Sequence, residues 1–108
     1  MIEIRNPSGK LLHTVDAASL RGAKLAGLQL VSAVLNSTDL EEANLSGANL
    51  EGALLDGTNL QKANLKGADL YWAILFESNL TGADLEGATL NGADLKETIL
   101  NEENAEAS

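Results

Sequence analysis

The chain has 108 residues, the length of one ordinary domain, and 44% of them are apolar although only 3% are aromatic. Leu (21) and Ala (16) supply most of the apolar positions, so any core is aliphatic and built from two volumes. Sixteen acids against seven bases give a net charge of −9, which argues against a phosphate-binding surface; the absence of Cys excludes disulfides, thiolate metal sites and a thiol nucleophile, and no apolar run is long enough to span a bilayer.

In chain order, Met1-Ile2-Glu3-Ile4-Arg5 lacks the basic-then-apolar layout of a signal peptide, and the cytoplasm is the expected location. Ile2-Glu3-Ile4 and Leu11-Leu12-His13-Thr14-Val15 read as two short strands joined by a turn at Asn6-Pro7-Ser8-Gly9. A hairpin over residues 1–16 is expected to act as a cap, packing Ile2, Ile4, Leu11 and Val15 over the first part of the chain that follows. Leu28 is expected to help fill that lid. His13, the one imidazole, has no Cys and no carboxylate at metal-motif spacing, so a half-buried cap residue is expected rather than a ligand.

Residues 17–102 carry a five-residue period. Leu occupies every fifth position from Leu20 to Leu100, seventeen in a row. The position two before each Leu is Ala in twelve of the seventeen units, and the position two after it is Gly in nine. Asp or Asn immediately precedes Leu in nine units, giving Ala-(Asp/Asn)-Leu-X-Gly. In an α-helix, five residues advance a net ~140°, which sprays the leucines around the cylinder. In a flat strand, five residues reverse the side-chain direction. Both conflicts vanish if the chain bends once per unit. Ala and Leu then point inward, Asp or Asn points outward, and the following pair turns the corner. The coils stack into a solenoid held by backbone hydrogen bonds at roughly 4.8 Å spacing.

Stretches such as Ala43-Asn44-Leu45-Ser46-Gly47-Ala48-Asn49-Leu50 and Gly82-Ala83-Asp84-Leu85-Glu86-Gly87-Ala88 resemble the pentapeptide repeat family. That resemblance implies an all-β fold: a right-handed quadrilateral β-helix with four units per coil, here about four coils long. Beyond it, residues 103–108 read as a short acidic, disordered tail. The last coil then has a Leu-lined end that invites either the tail or a second copy, the second being preferred.

Little chemistry is evident. With twenty residues per coil, the outward columns mix Asp with Asn, and a structural role bonding nearby backbone is expected for them. No nucleophile–base pair, phosphate loop, cofactor motif or metal motif stands out, so neither an enzyme nor a cofactor is expected. One surface feature does stand out. Val34, Leu54 and Ile74 take the outward slot usually held by Asp or Asn, twenty residues apart, and Tyr71, Trp72 and Phe76 adjoin them. An apolar, aromatic patch of this kind marks a protein-contact surface, unless the N-terminal hairpin folds over it. The expected function is a non-enzymatic interaction module, binding an unknown partner protein or forming a homodimer through the patch or the C-terminal coil. Neither direct nucleic-acid binding nor membrane attachment is expected. The resemblance implies one alternative, because some bacterial members of the family mimic DNA and bind DNA gyrase, protecting it from quinolones.

Overall fold

The computed structural model describes residues 1–100; the tail expected over 103–108 lies outside them. Two strands open the chain, β1 (Ile2–Arg5) and β2 (Leu11–Val15), paired antiparallel. The turn between them is held by Asn6, whose Oδ1 accepts from the Ser8 amide, the Ser8 hydroxyl and the Lys10 amide. Ile4 is buried, and Ile2 and Val15 are packed against the core. Leu11 is not: it is exposed, and Leu12 packs inward instead. The cause is a register irregularity between Ile4 and Arg5. Ile4 pairs with His13 but Arg5 pairs with Leu11, so Leu12 is the extra residue of a bulge. The same pairing sets half-buried His13 beside Ile4. Leu28 is half-buried and packed against the core.

From Leu20 onward the chain is a β-helix without a single α-helix among the described residues. Parallel bridges link residues twenty apart, as in Lys24↔Asn44↔Asn64↔Asp84, so each coil contains four pentapeptides and has four faces. Each bend follows one plan. The residue two after Leu has positive φ at all sixteen positions from Gly22 to Glu97, nine of them Gly and seven not. Glu42 (φ 61°) and Lys62 (φ 59°) adopt it as Gly47 (φ 65°) does. At fifteen of the sixteen bends, all but that of Leu35, the amide three residues after Leu bonds back to the Leu carbonyl, for example Ala63 to Leu60 at 3.0 Å, the signature of a turn with a left-handed third residue.

Every Asp or Asn in the slot before Leu accepts, through Oδ1, the backbone N–H two residues on; Asp39, Asn64 and Asp94 do so at 3.1, 3.0 and 3.1 Å. These side chains brace the corner, which answers why the repeat asks for them. Between coils, the Leu45 amide donates to Asn64 O at 2.7 Å and the Asn64 amide to Ala43 O at 2.9 Å. With the corners so fixed, Leu25 to Leu80 point into one dry interior and are fully buried, with the small residues of the Ala slot beside them.

One hydroxyl spoils the interior. Thr58 Oγ1 donates to Leu55 O at 2.7 Å, but Ser78, one coil on in the same column, has no partner for its buried Oγ. The matching carbonyl, Leu75 O, already accepts the Ser78 amide and Thr98 Oγ1. Replacing Ser78 by Ala is therefore expected to stabilise the protein by about 1 kcal/mol, raising its thermal midpoint by roughly 4–8 °C. A lowered midpoint in calorimetry would mean that the hydroxyl is bonded.

Candidate protein-contact surface

The third face in chain order is built from the outward residues Val34, Leu54, Ile74 and Asp94, linked in a continuous run of bridges. It differs from the other three because its first three residues are aliphatic and cannot brace a corner. At its N-terminal end the Val34 amide donates to the Arg5 carbonyl at 2.8 Å, so β1 continues the column from below. The hairpin thus extends this face and does not fold over it. Val34 remains 39% exposed, while Leu54 and Ile74 are half-buried between their neighbours.

The aromatic residues frame this column from its two corners. Tyr71 and Trp72 turn the corner before Ile74, 40% and 59% exposed, with their rings edge-to-face at 5.6 Å. Phe76, half-buried, lies at the corner after it. Trp72 has φ 62°, the left-handed conformation that disfavours a bulky side chain. The other six non-Gly residues in that conformation are Ser, Glu or Lys. A tryptophan at such a corner, pointing largely into water, meets no need of the core. Its indole also reaches across to the next coil, lying over Gly92, where any Cβ would come within 2.7–2.9 Å of the ring.

The structure thus places Val34, Leu54, Tyr71, Trp72, Ile74 and Phe76 on one face and its two edges. Sequence reasoning missed Val31, 41% exposed at the same corner column as Tyr71. The signal was present, since the two positions differ by two coils, but a lone Val at a turn draws no attention until the coil length is known. Among the described residues no group of His, Asp and Glu could hold a metal ion, and no helix is long and apolar enough to cross a membrane.

The opposite face is electrostatically different. There Arg21 meets Glu41 at 2.6 Å and Lys66 meets Asp84 at 3.5 Å, each pair joining different coils. Hydrogen bonds from Arg21 and then Asn59 hold the Glu41 carboxyl below the usual carboxylate range, and Glu41 in turn raises the Arg21 guanidinium. These are solvated pairs that tie coil to coil.

Comparison with known proteins agrees with this geometry. The family description "Pentapeptide repeats" matches in eight copies over residues 16–52, 43–82 and 78–102. The chain belongs to the pentapeptide repeat family. Among solved structures it is similar to alr5209, a pentapeptide repeat protein from Nostoc PCC 7120, at 36% identity and a TM-score of 0.72, over 75% of this chain and 66% of that one. It is also similar to Rfr23 from the cyanobacterium Cyanothece 51142, at 29% identity and a TM-score of 0.51, over 93% and 75% of the two chains. HetL, a Nostoc pentapeptide repeat protein involved in heterocyst differentiation regulation, is 40% identical over 77% of this chain, with a TM-score of 0.45. This chain spans 66% of alr5209 and 40% of HetL. No curated protein matches it.

Two glycine substitutions separate the tryptophan from the corner. Gly67 and Gly92 both have positive φ, so Ala at either is expected to cost about 1–2 kcal/mol. Nothing lies within 4 Å of a Cβ at Gly67, whereas one at Gly92 strikes the Trp72 ring. Only Gly92→Ala is expected to red-shift tryptophan emission. Identical spectra for the two variants would place the indole elsewhere.

Proposed function

We propose that the protein is a non-enzymatic interaction module that binds a partner protein, or a second copy of itself, through the Val34 face. One observation carries this reading. Three aliphatic side chains replace the corner-bracing Asp or Asn on a single face, and an exposed tryptophan occupies a corner conformation that favours glycine. Both choices forgo local stability and gain nothing for the core, and such local violations gather at functional sites. Tyr and Trp are also the residues that anchor protein interfaces most often.

The β-helix suits this role. Its inter-coil ladder fixes the spacing of outward residues, so a partner meets a surface that needs little ordering on binding. The gyrase-binding alternative draws support from the −9 charge. The contact reading is preferred because Arg21, Lys24, Lys62 and Lys66 interrupt the acids on the first face and its corners, while the apolar column needs its own explanation.

The test is a double substitution, Trp72→Asp with Ile74→Asp. Both side chains point outward, so the β-type circular dichroism is expected to persist. Self-association in sedimentation, or capture of a partner, is expected to fall by at least about tenfold, as for loss of a central anchor. Unchanged association and capture with intact circular dichroism would remove the face from consideration.

A further inference from the structure

Resting on the contact reading above, we propose that the Val34 face receives a cationic amphipathic polypeptide segment, and that it does not pair with a second copy of itself. The argument is one of charge placement. The first face and its corners hold four bases, Arg21, Lys24, Lys62 and Lys66, against four acids, Glu41, Glu42, Asp84 and Glu86. That side is neutral and contains the inter-coil ion pairs. The Val34 face, directly opposite, holds five acids with its corners, Glu51, Asp56, Glu77, Asp94 and Glu97, against the single base Lys96. None of these five carboxylates enters an ion pair among the described residues. Four of the six uncompensated negative charges of residues 17–100 therefore rim the apolar face, and the other two, Asp39 and Asp69, lie on the two faces between.

Such a rim selects its occupant. Two copies meeting face to face would bring acid against acid around a dry centre, which suppresses association. A segment alternating Lys or Arg with aliphatic residues satisfies both parts. Its apolar side chains lie on Val34, Leu54 and Ile74 while its cations reach the rim, and an Arg plane can stack on the exposed Trp72 indole.

A second feature extends the same face. Between β1 and the first coil is a cavity of about 200 Å³, with Val34 in its wall. Ile2, Ile4 and Leu20 line it; Asp39 supplies a carboxylate outside any ion pair, and Glu3 supplies one already paired with Arg5 at 3.0 Å. It is smaller than the ~300–1,000 Å³ of a small-molecule site. An apolar wall with carboxylates matches one long basic side chain, whose methylenes seek apolar surface while its head seeks charge.

The single tryptophan of the chain makes the test direct. Trp72 emission is followed while the full chain is titrated with a blocked peptide of about eight residues alternating Leu and Arg, long enough to cross the stacked coils. Two control peptides carry Ser for Leu, or Gln for Arg. Saturable blue-shifted emission is expected with the first peptide alone, weakening at least about fivefold between roughly 50 and 300 mM salt. Glu77→Gln with Glu97→Gln is expected to weaken binding about fivefold or more, while Glu42→Gln with Glu86→Gln, an equal charge change on the opposite side, alters it less than about twofold. Equal losses from the two double variants would show general attraction to an acidic protein and overturn the proposal. So would the absence of saturation by about 1 mM peptide. A blue shift that grows with protein concentration, without peptide, would mean self-pairing: the contact reading then stands and the basic segment falls. A silent titration combined with patch substitutions that alter no association would remove both.

Discussion

The left-handed bend two residues after each leucine is the constraint on which this molecule depends. It reverses the side-chain alternation of an extended chain once every five residues, and so returns every Leu to the same interior. Sixteen successive bends use it, and seven of them accept the cost of a side chain there. In six of those seven the corner amide is held by a carbonyl of the next coil, not by local preference. The Lys62 amide donates to Thr81 O at 2.9 Å, and the Glu42 amide to Gln61 O at 2.9 Å. Corner, ladder and buried Leu support one another, and at nine corners an Asp or Asn before Leu ties the bend to its own coil. In a stack of this kind each coil depends on its nearest neighbours, as expected for a solenoid.

That interdependence explains how the outer surface can be used. Once the ladder sets the backbone, a face can give up its bracing Asp and Asn residues without losing its path. The Val34, Leu54 and Ile74 amides still find their carbonyls, at Arg5, Ala33 and Ala53. The hairpin matters for the same reason. By accepting the Val34 amide it supplies the missing lower neighbour of this one column, and it creates the cavity beside it. Fold and candidate site are thus separable in the sequence: Leu and Ala write the first, and departures from Asp or Asn write the second.

The period of Leu made the solenoid legible, and departures from the Asx slot exposed the aliphatic column, because both are strict counts along the chain. What stayed hidden depended on geometry that counting does not reach. Leu11 and Leu12 are equally apolar, and only the bulge at Ile4 and Arg5 turns Leu12 inward. Val31 joins the aromatic corner through a distance of forty residues. The settling of the Trp72 indole over Gly92 depends on packing between coils. The contrast between a face whose acids are matched by bases and one whose acids are not is invisible in a total of −9 and appears only when twenty-residue columns are assigned to faces. Membership of the pentapeptide repeat family settles the scaffold, and the outward residues are where this chain departs from the repeat.

The account is tested most directly by nuclear Overhauser contacts in solution. If the chain bends at every unit, methyl groups of Val34, Leu54 and Ile74 show contacts in a chain of steps twenty residues apart, and the amides of Leu45 and Leu65 show contacts to the coils that follow them. A spectrum dominated by contacts between residues three and four apart, with none at twenty, would contradict the stacked coil and every surface assignment built on it.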